Sequence, residues 1–180
     1  RAQKLADVLS QKLEEAGERF IQSVQKELAY LDMPGVRLTL DLTRRELGPG
    51  GQDGVEFLLA ANPGEEPKPL SKTASGGELS RVMLSIKNVL AGRGGVGTVI
   101  FDEIDTGVSG RAAQKIGLKL AQVAQSRQVI CVTHLAQVAA YAGHHDRIYK
   151  EVEGERTFTH VETLSREDRV RELARINVGE

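Results

Sequence analysis

Three short stretches hold the residues best suited to chemistry. In TVIFDEIDTGVSG, the apolar run 98–101 ends in Asp102 and Glu103. Adjacent carboxylates repel, so the pair is costly unless a cation or a proton shares the site. Hydrated Mg2+ meets that demand, because it takes carboxylate and phosphate oxygens and keeps its waters. The second carboxylate is then free to orient and deprotonate a water. A strand that simply meets solvent at two acids has the same spelling. In QVICVTH, the run 128–133 ends in Thr133 and is followed by His134. An imidazole there can donate to a terminal phosphate, although a lone histidine can equally cap the next helix or face solvent. In TASGGELSR, Ser75, Gly76, Gly77 and Glu78 open a helical pattern. Unpaired amides at a helix start attract an anion, and glycines let a phosphate approach without a Cβ in the way. A plain helix cap would use the same residues.

The elements around these stretches decide whether they can meet. Runs 98–101 and 128–133 read as strands buried on both faces, and Gly110–Ala124 between them carries Ala113, Ile116, Leu120 and Val123 at helical spacing. Strand, helix and strand in this order form a parallel, right-handed βαβ unit. In such sheets the ligand crevice lies outside the carboxyl ends of the strands. Asp102, Glu103 and His134 are therefore expected on one edge.

The rest is ordered as follows. Leu5, Leu9, Leu13, Ala16, Phe20, Val24, Leu28 and Leu31 recur every three or four residues and predict one long helix, stopped by Asp32, Pro34 and Gly35. It suits either a helix packed on its own domain or the root of a coiled coil. Val36, Leu38, Leu40 and Leu42 alternate with polar residues as in a half-buried strand. GPGGQDG then reads as a turn, VEFLLAAN as the returning strand, and PGEEPKPL as an extended surface loop. A helix follows the diglycine through Val89 and ends at GRGGVG, and a short helix is expected over Leu135–Tyr141. RIYKEV and RTFTHVETL predict a hairpin, and Ser165 can cap a last helix. Cys131 is expected to be a small buried hydrophobe.

Composition narrows the function classes. The chain has 180 residues, with 24 basic and 25 acidic ones, and only 4% are aromatic. Neither a basic tract nor base-stacking platforms are on offer. One cysteine cannot form an internal disulfide and suits a reducing cytosol, and no apolar run approaches membrane-spanning length. The start at Arg1, already inside a helical pattern, suggests a piece of something longer.

Taken in order, ASGGELSR, a strand ending in DE and a strand ending in TH resemble the signature motif, Walker B strand and switch histidine of the ATP-binding-cassette ATPases. PLSKTASGGELSR, TVIFDEIDTGVSGRAA, QVICVTHLAQVAA and ELARINVG bring the likeness closest to the SMC-like ATPases of bacterial DNA double-strand break repair. The resemblance covers most of residues 36–180. It implies an α/β fold: the C-terminal portion of an ABC-type head with a parallel βαβ core and an antiparallel portion. Residues 1–33 would be the end of a coiled coil entering the head, and 34–180 the head itself. It further implies ATP and Mg2+ as cofactors, with Asp102 holding the metal through water, Glu103 as general base and His134 at the γ-phosphate. Ser75, Gly76, Gly77 and Glu78 would face ATP bound by a second copy of the head, and Asp105–Gly110 would be the loop between heads. DNA enters through this likeness alone, as does a cytoplasmic, nucleoid-associated location.

Two departures stand out. Val108-Ser109 occupies the place where the wider family has Leu-Asp, and no GxxxxGK[ST] occurs anywhere in the chain. That motif holds the β- and γ-phosphates, so it is expected in an N-terminal segment, and this chain alone is expected to be inactive. DEIDTGVSG also lacks the DEPTSALD form of transporter ATPases. The alternative is a non-catalytic ABC-like dimerisation or interaction module.

Overall fold

The computed structural model describes residues 1–72, 76–91, 96–154 and 156–178. They fall into two units, Arg1–Gly95 and Val96–Glu180.

In the first unit, α1 (Ala2–Tyr30) forms on the expected spacing, and Asp32, in left-handed backbone at φ 60°, turns the chain away. The single apolar face of the sequence pattern is divided in two. Val24, Leu28 and Leu31 are buried, but near the helix start the buried residues are Ala6 and Ser10, while Leu5 and Leu9 face solvent. A polar network explains the shift. Ser10 donates to Asp53 at 2.5 Å and accepts from Arg44 at 2.8 Å, while Gln52 donates to Asp7 at 2.9 Å. These bonds hold the end of a hairpin against the helix.

That hairpin is β1 (Arg37–Gly48) and β2 (Gly51–Ala60), antiparallel with Leu38 opposite Leu59. The broad turn expected over GPGGQDG is corrected. Only Pro49 and Gly50 separate the strands, and Gly51 takes a φ of 97° that favours glycine. Gln52 and Asp53 read as turn residues in the sequence, but their side chains bond to α1 instead of solvent. The proline-rich stretch also contains a short strand, β3 (Lys68–Pro69), paired with β2. As the edge strand, β1 is clipped to the helix. Gln25 donates to the Val36 carbonyl at 3.0 Å and accepts from the Leu38 amide at 2.7 Å. A 3-10 turn at Leu70–Lys72 precedes α2 (Gly76–Val89).

Val24, Leu28, Val36, Leu38, Leu59 and Val82 form the core of this unit, flanked by Phe20 and Phe57 with ring centroids 5.5 Å apart. Leu28 is fully buried where α1, the sheet and α2 meet. Leu28→Ala is therefore expected to destabilise the unit by about 2–5 kcal/mol, through lost burial and the cavity left behind. Denaturant melts followed by circular dichroism measure this, and a loss under about 1 kcal/mol would contradict the packing described.

In the second unit, β4 (Thr98–Phe101) and β5 (Gln128–Cys131) pair in parallel, Phe101 opposite Cys131, with α3 (Gly110–Ala124) between them in sequence. The expectation of strands buried on both faces is corrected. Val99 and Phe101 are buried, whereas Ile100 is 68% exposed, and β5 alternates exposed with half-buried residues and ends two residues early. Among the described residues the sheet has two strands, and α3 packs against β5. Cys131 is accordingly half-buried, not a core residue. The expected helix at 135–141 shortens to one turn, α4 (Ala136–Ala139). It packs on α3, where Gly117 leaves room for the Tyr141 ring.

The hairpin β6 (Asp146–Glu153) and β7 (Arg156–Thr163) pairs Ile148 with Val161. Ser165 caps α5 (Arg166–Val178) as expected, accepting from the Asp168 amide at 3.2 Å. Arg169 of α5 donates to the carbonyls of Ala139 and Ala140 at the end of α4. No described helix is long and apolar enough to cross a membrane.

Candidate functional site

Parallel pairing fixes the site. Because Phe101 faces Cys131 and the Val132 amide donates to the Phe101 carbonyl at 2.9 Å, both strands leave the sheet at the same edge. Asp102 and Glu103 follow one strand, and Thr133 and His134 follow the other. The rim expected from the sequence is present within this unit, and Asp102, Glu103 and His134 are exposed on it.

The backbone at the acidic tip is unusual. Glu103 has a φ of 56°, a left-handed conformation that glutamate seldom adopts and that costs roughly 1–2 kcal/mol. The Asp102 carboxylate accepts from the Glu103 amide at 2.9 Å, and the Glu103 carbonyl accepts from the Thr106 amide at 3.1 Å. Ile104, wholly buried, anchors the turn from below. Gly107 completes it with a φ of 74°. Together these contacts hold two adjacent carboxylates out from the strand end. The Cys131 thiol is pushed up to about 12 by burial first, then by the charges of Asp105 and Asp102. A thiol so raised is held in its neutral form, which is a poor nucleophile.

Asp105 has a part that the sequence reading did not assign. Expected to belong to the loop between heads, it is 2% exposed and turned inward. Its Oδ2 accepts from the Thr133 hydroxyl and from the His134 amide at 3.1 Å, and lies 3.3 Å from His134 Nδ1. The Thr133 hydroxyl in turn accepts from the Leu135 amide at 3.1 Å. A signal was available: a threonine and histidine closing a parallel strand need an acceptor, and Asp105 sits four residues beyond the end of the neighbouring strand.

Among the described residues, no three His, Cys, Asp or Glu side chains gather as a metal cage. A cation at this tip would be held by one carboxylate, with water and phosphate filling its other positions. That donor set fits Mg2+, which seldom uses an all-protein site.

In the first unit, α2 begins at Gly76 with Gly76 exposed and Gly77 buried, and Glu78 lies in the first turn. Ser75 lies outside the described residues.

No protein-family model matches the chain. The DNA repair protein RecN of Streptomyces coelicolor is 45% identical over 98% of the chain, and RecN of Bacillus subtilis is 52% identical over 72% of it. The chain belongs with the RecN proteins. It spans 33% and 22% of the length of these two relatives. A solved SMC ATPase chain, from work on ATP-driven dimerisation and DNA-stimulated activation, superposes with a TM-score of 0.53 at 20% identity. That match covers 93% of this RecN-type chain and 96% of the other, and it places the fold among SMC ATPase heads.

Proposed function

We propose that this RecN-type chain is the C-terminal part of an ATPase head whose ATP-driven cycle serves DNA double-strand break repair. The observation that carries the reading is the shared rim: a strained, exposed Glu103 beside Asp102, with His134 delivered to the same edge by the parallel partner strand. Strained backbone in a bulky non-glycine residue persists only where the surroundings over-determine it, and such residues cluster at active sites.

Asp102 would hold Mg2+ through water, and the bound ion would neutralise charge on the phosphates. Glu103 would orient a water toward the γ-phosphorus and take its proton as the oxygen attacks. The bond from the γ-phosphorus to the bridging oxygen breaks, and ADP leaves. His134 would meet a γ-phosphate oxygen and hold its developing charge. Gly76 and the first-turn amides of α2 would bind the γ-phosphate of ATP carried by a second head, so that nucleotide joins two copies. An N-terminal segment of the same protein would bring the phosphate-binding loop that this sequence lacks. Hydrolysis would then release the heads, moving a coiled coil continuous with α1. DNA is the partner that the repair relatives and the DNA-stimulated SMC ATPase favour, and the nucleoid is the matching location.

The test compares this chain with the full-length protein, each with Mg2+ and ATP, with and without DNA ends. Full-length protein is expected to turn over ATP, and this chain to do so at no measurable rate. Turnover by the purified chain alone would overturn the split of the site between segments.

A further inference from the structure

We propose that Asp105 is a positioning residue for His134, tying the loop after β4 to the loop after β5 so that the acidic tip and the imidazole keep one spacing. The proposal rests on the ATPase reading above. Its observations are independent of that reading. Two donors from the Thr133–His134 segment, a hydroxyl and an amide, converge on a single oxygen of Asp105, and His134 Nδ1 lies 3.3 Å from the same oxygen. That carboxylate is 2% exposed, whereas the His134 side chain is 72% exposed. The histidine is thus held at its root and open at its tip. With Nδ1 turned to Asp105, Nε2 is the nitrogen left to meet a ligand. An exposed imidazole without such a tether would sample several rotamers, and misplacement by about 1 Å at a reacting centre can cost 100-fold in rate.

The same carboxylate sits three residues beyond Asp102, on a turn closed by the Thr106 amide to the Glu103 carbonyl and by the Val108 amide to the Asp105 carbonyl. A shift of the acidic tip would therefore be transmitted through Asp105 to His134, and the reverse. Thr133 extends the link, since its hydroxyl also accepts from Leu135 at the start of α4. The physical content is a rigid bridge between the ends of two neighbouring strands.

The experiment is a double-mutant cycle in the full-length protein, measuring steady-state ATP hydrolysis. Asp105→Ala is expected to lower kcat roughly 10- to 100-fold with KM for ATP within about threefold of wild type. In a His134→Ala background the same change should cost less than about threefold, because its effect runs through the missing imidazole. Losses that multiply independently would overturn the proposal, as would a rise in KM at unchanged kcat. Should Asp105→Ala not fold, Thr133 decides. Thr133→Val should lower kcat about 3- to 10-fold and non-additively with His134→Ala, and Thr133→Ser should restore it. Wild-type turnover by Thr133→Val overturns the bridge. Glu103→Gln, run in parallel, separates the two failures. If it retains full turnover, the assignment of hydrolysis to this rim falls and the positioning role with it. If it is inactive while the cycle is additive, only the role of Asp105 is lost.

Discussion

Glu103→Gln in the full-length protein is expected to lower ATP turnover about 100- to 10,000-fold while leaving nucleotide binding and folding intact. The substitution keeps the shape of the side chain and its ability to align a water, but an amide cannot take the proton as the oxygen attacks. The structure makes this variant clean. Glu103 is exposed, and its backbone amide, not its side chain, is what Asp102 engages. The left-handed backbone at φ 56° is tolerated by glutamine about as it is by glutamate, so stability should change by less than about 0.5 kcal/mol. Heads that bind ATP but cannot cleave it should then stay joined, and light scattering should show ATP-dependent dimers that outlast those of the wild type. Burst-phase and steady-state hydrolysis measure the first part. A variant with unimpaired turnover would remove Glu103 from the chemistry, and absence of turnover in the wild type as well would favour a binding module instead.

Much of this arrangement was legible because it depends on local order. The three- and four-residue spacing of Val24, Leu28 and Leu31 specifies one helix face, and the run at 110–124 gives α3 to the residue. A strand, a helix and a strand of these lengths are expected to pair in parallel, and this alone brings His134 to the edge that holds Asp102 and Glu103. What the sequence concealed were features set by contacts between distant residues. Gln52 and Asp53 look like turn residues until Asp7 and Ser10 of α1 claim them. Ile100 and Ile130 look like core residues because an apolar run has no means of recording which face its neighbours cover. Asp105 was hidden by its company. In a loop of acids, threonine and glycine nothing singles out one aspartate, and only the register of β4 on β5 reveals the hydroxyl and the amide awaiting it.

The second large effect is expected at the start of α2. Gly76→Asp should abolish ATP-dependent association of heads while leaving each head folded. Gly76 is exposed at the first position of the helix, where an acidic side chain complements the macrodipole and favours the fold by about 0.3–1 kcal/mol. The same carboxylate would stand where the proposal puts the γ-phosphate of a partner's ATP. Two unit charges about 4 Å apart at an effective dielectric constant near 20 repel by roughly 4 kcal/mol. That corresponds to a loss of about 1,000-fold in association. Gly76→Asn supplies the control, because it adds a similar Cβ and volume without the charge. A large gap between the Asp and Asn variants identifies repulsion from an anion, and equal losses identify a steric block. The comparison is best made in the Glu103→Gln background, where hydrolysis does not dissolve the dimer during sedimentation. If Gly76→Asp heads dimerise with ATP as well as their parent does, the helix start is not facing nucleotide, and the two glycines do no more than begin a helix.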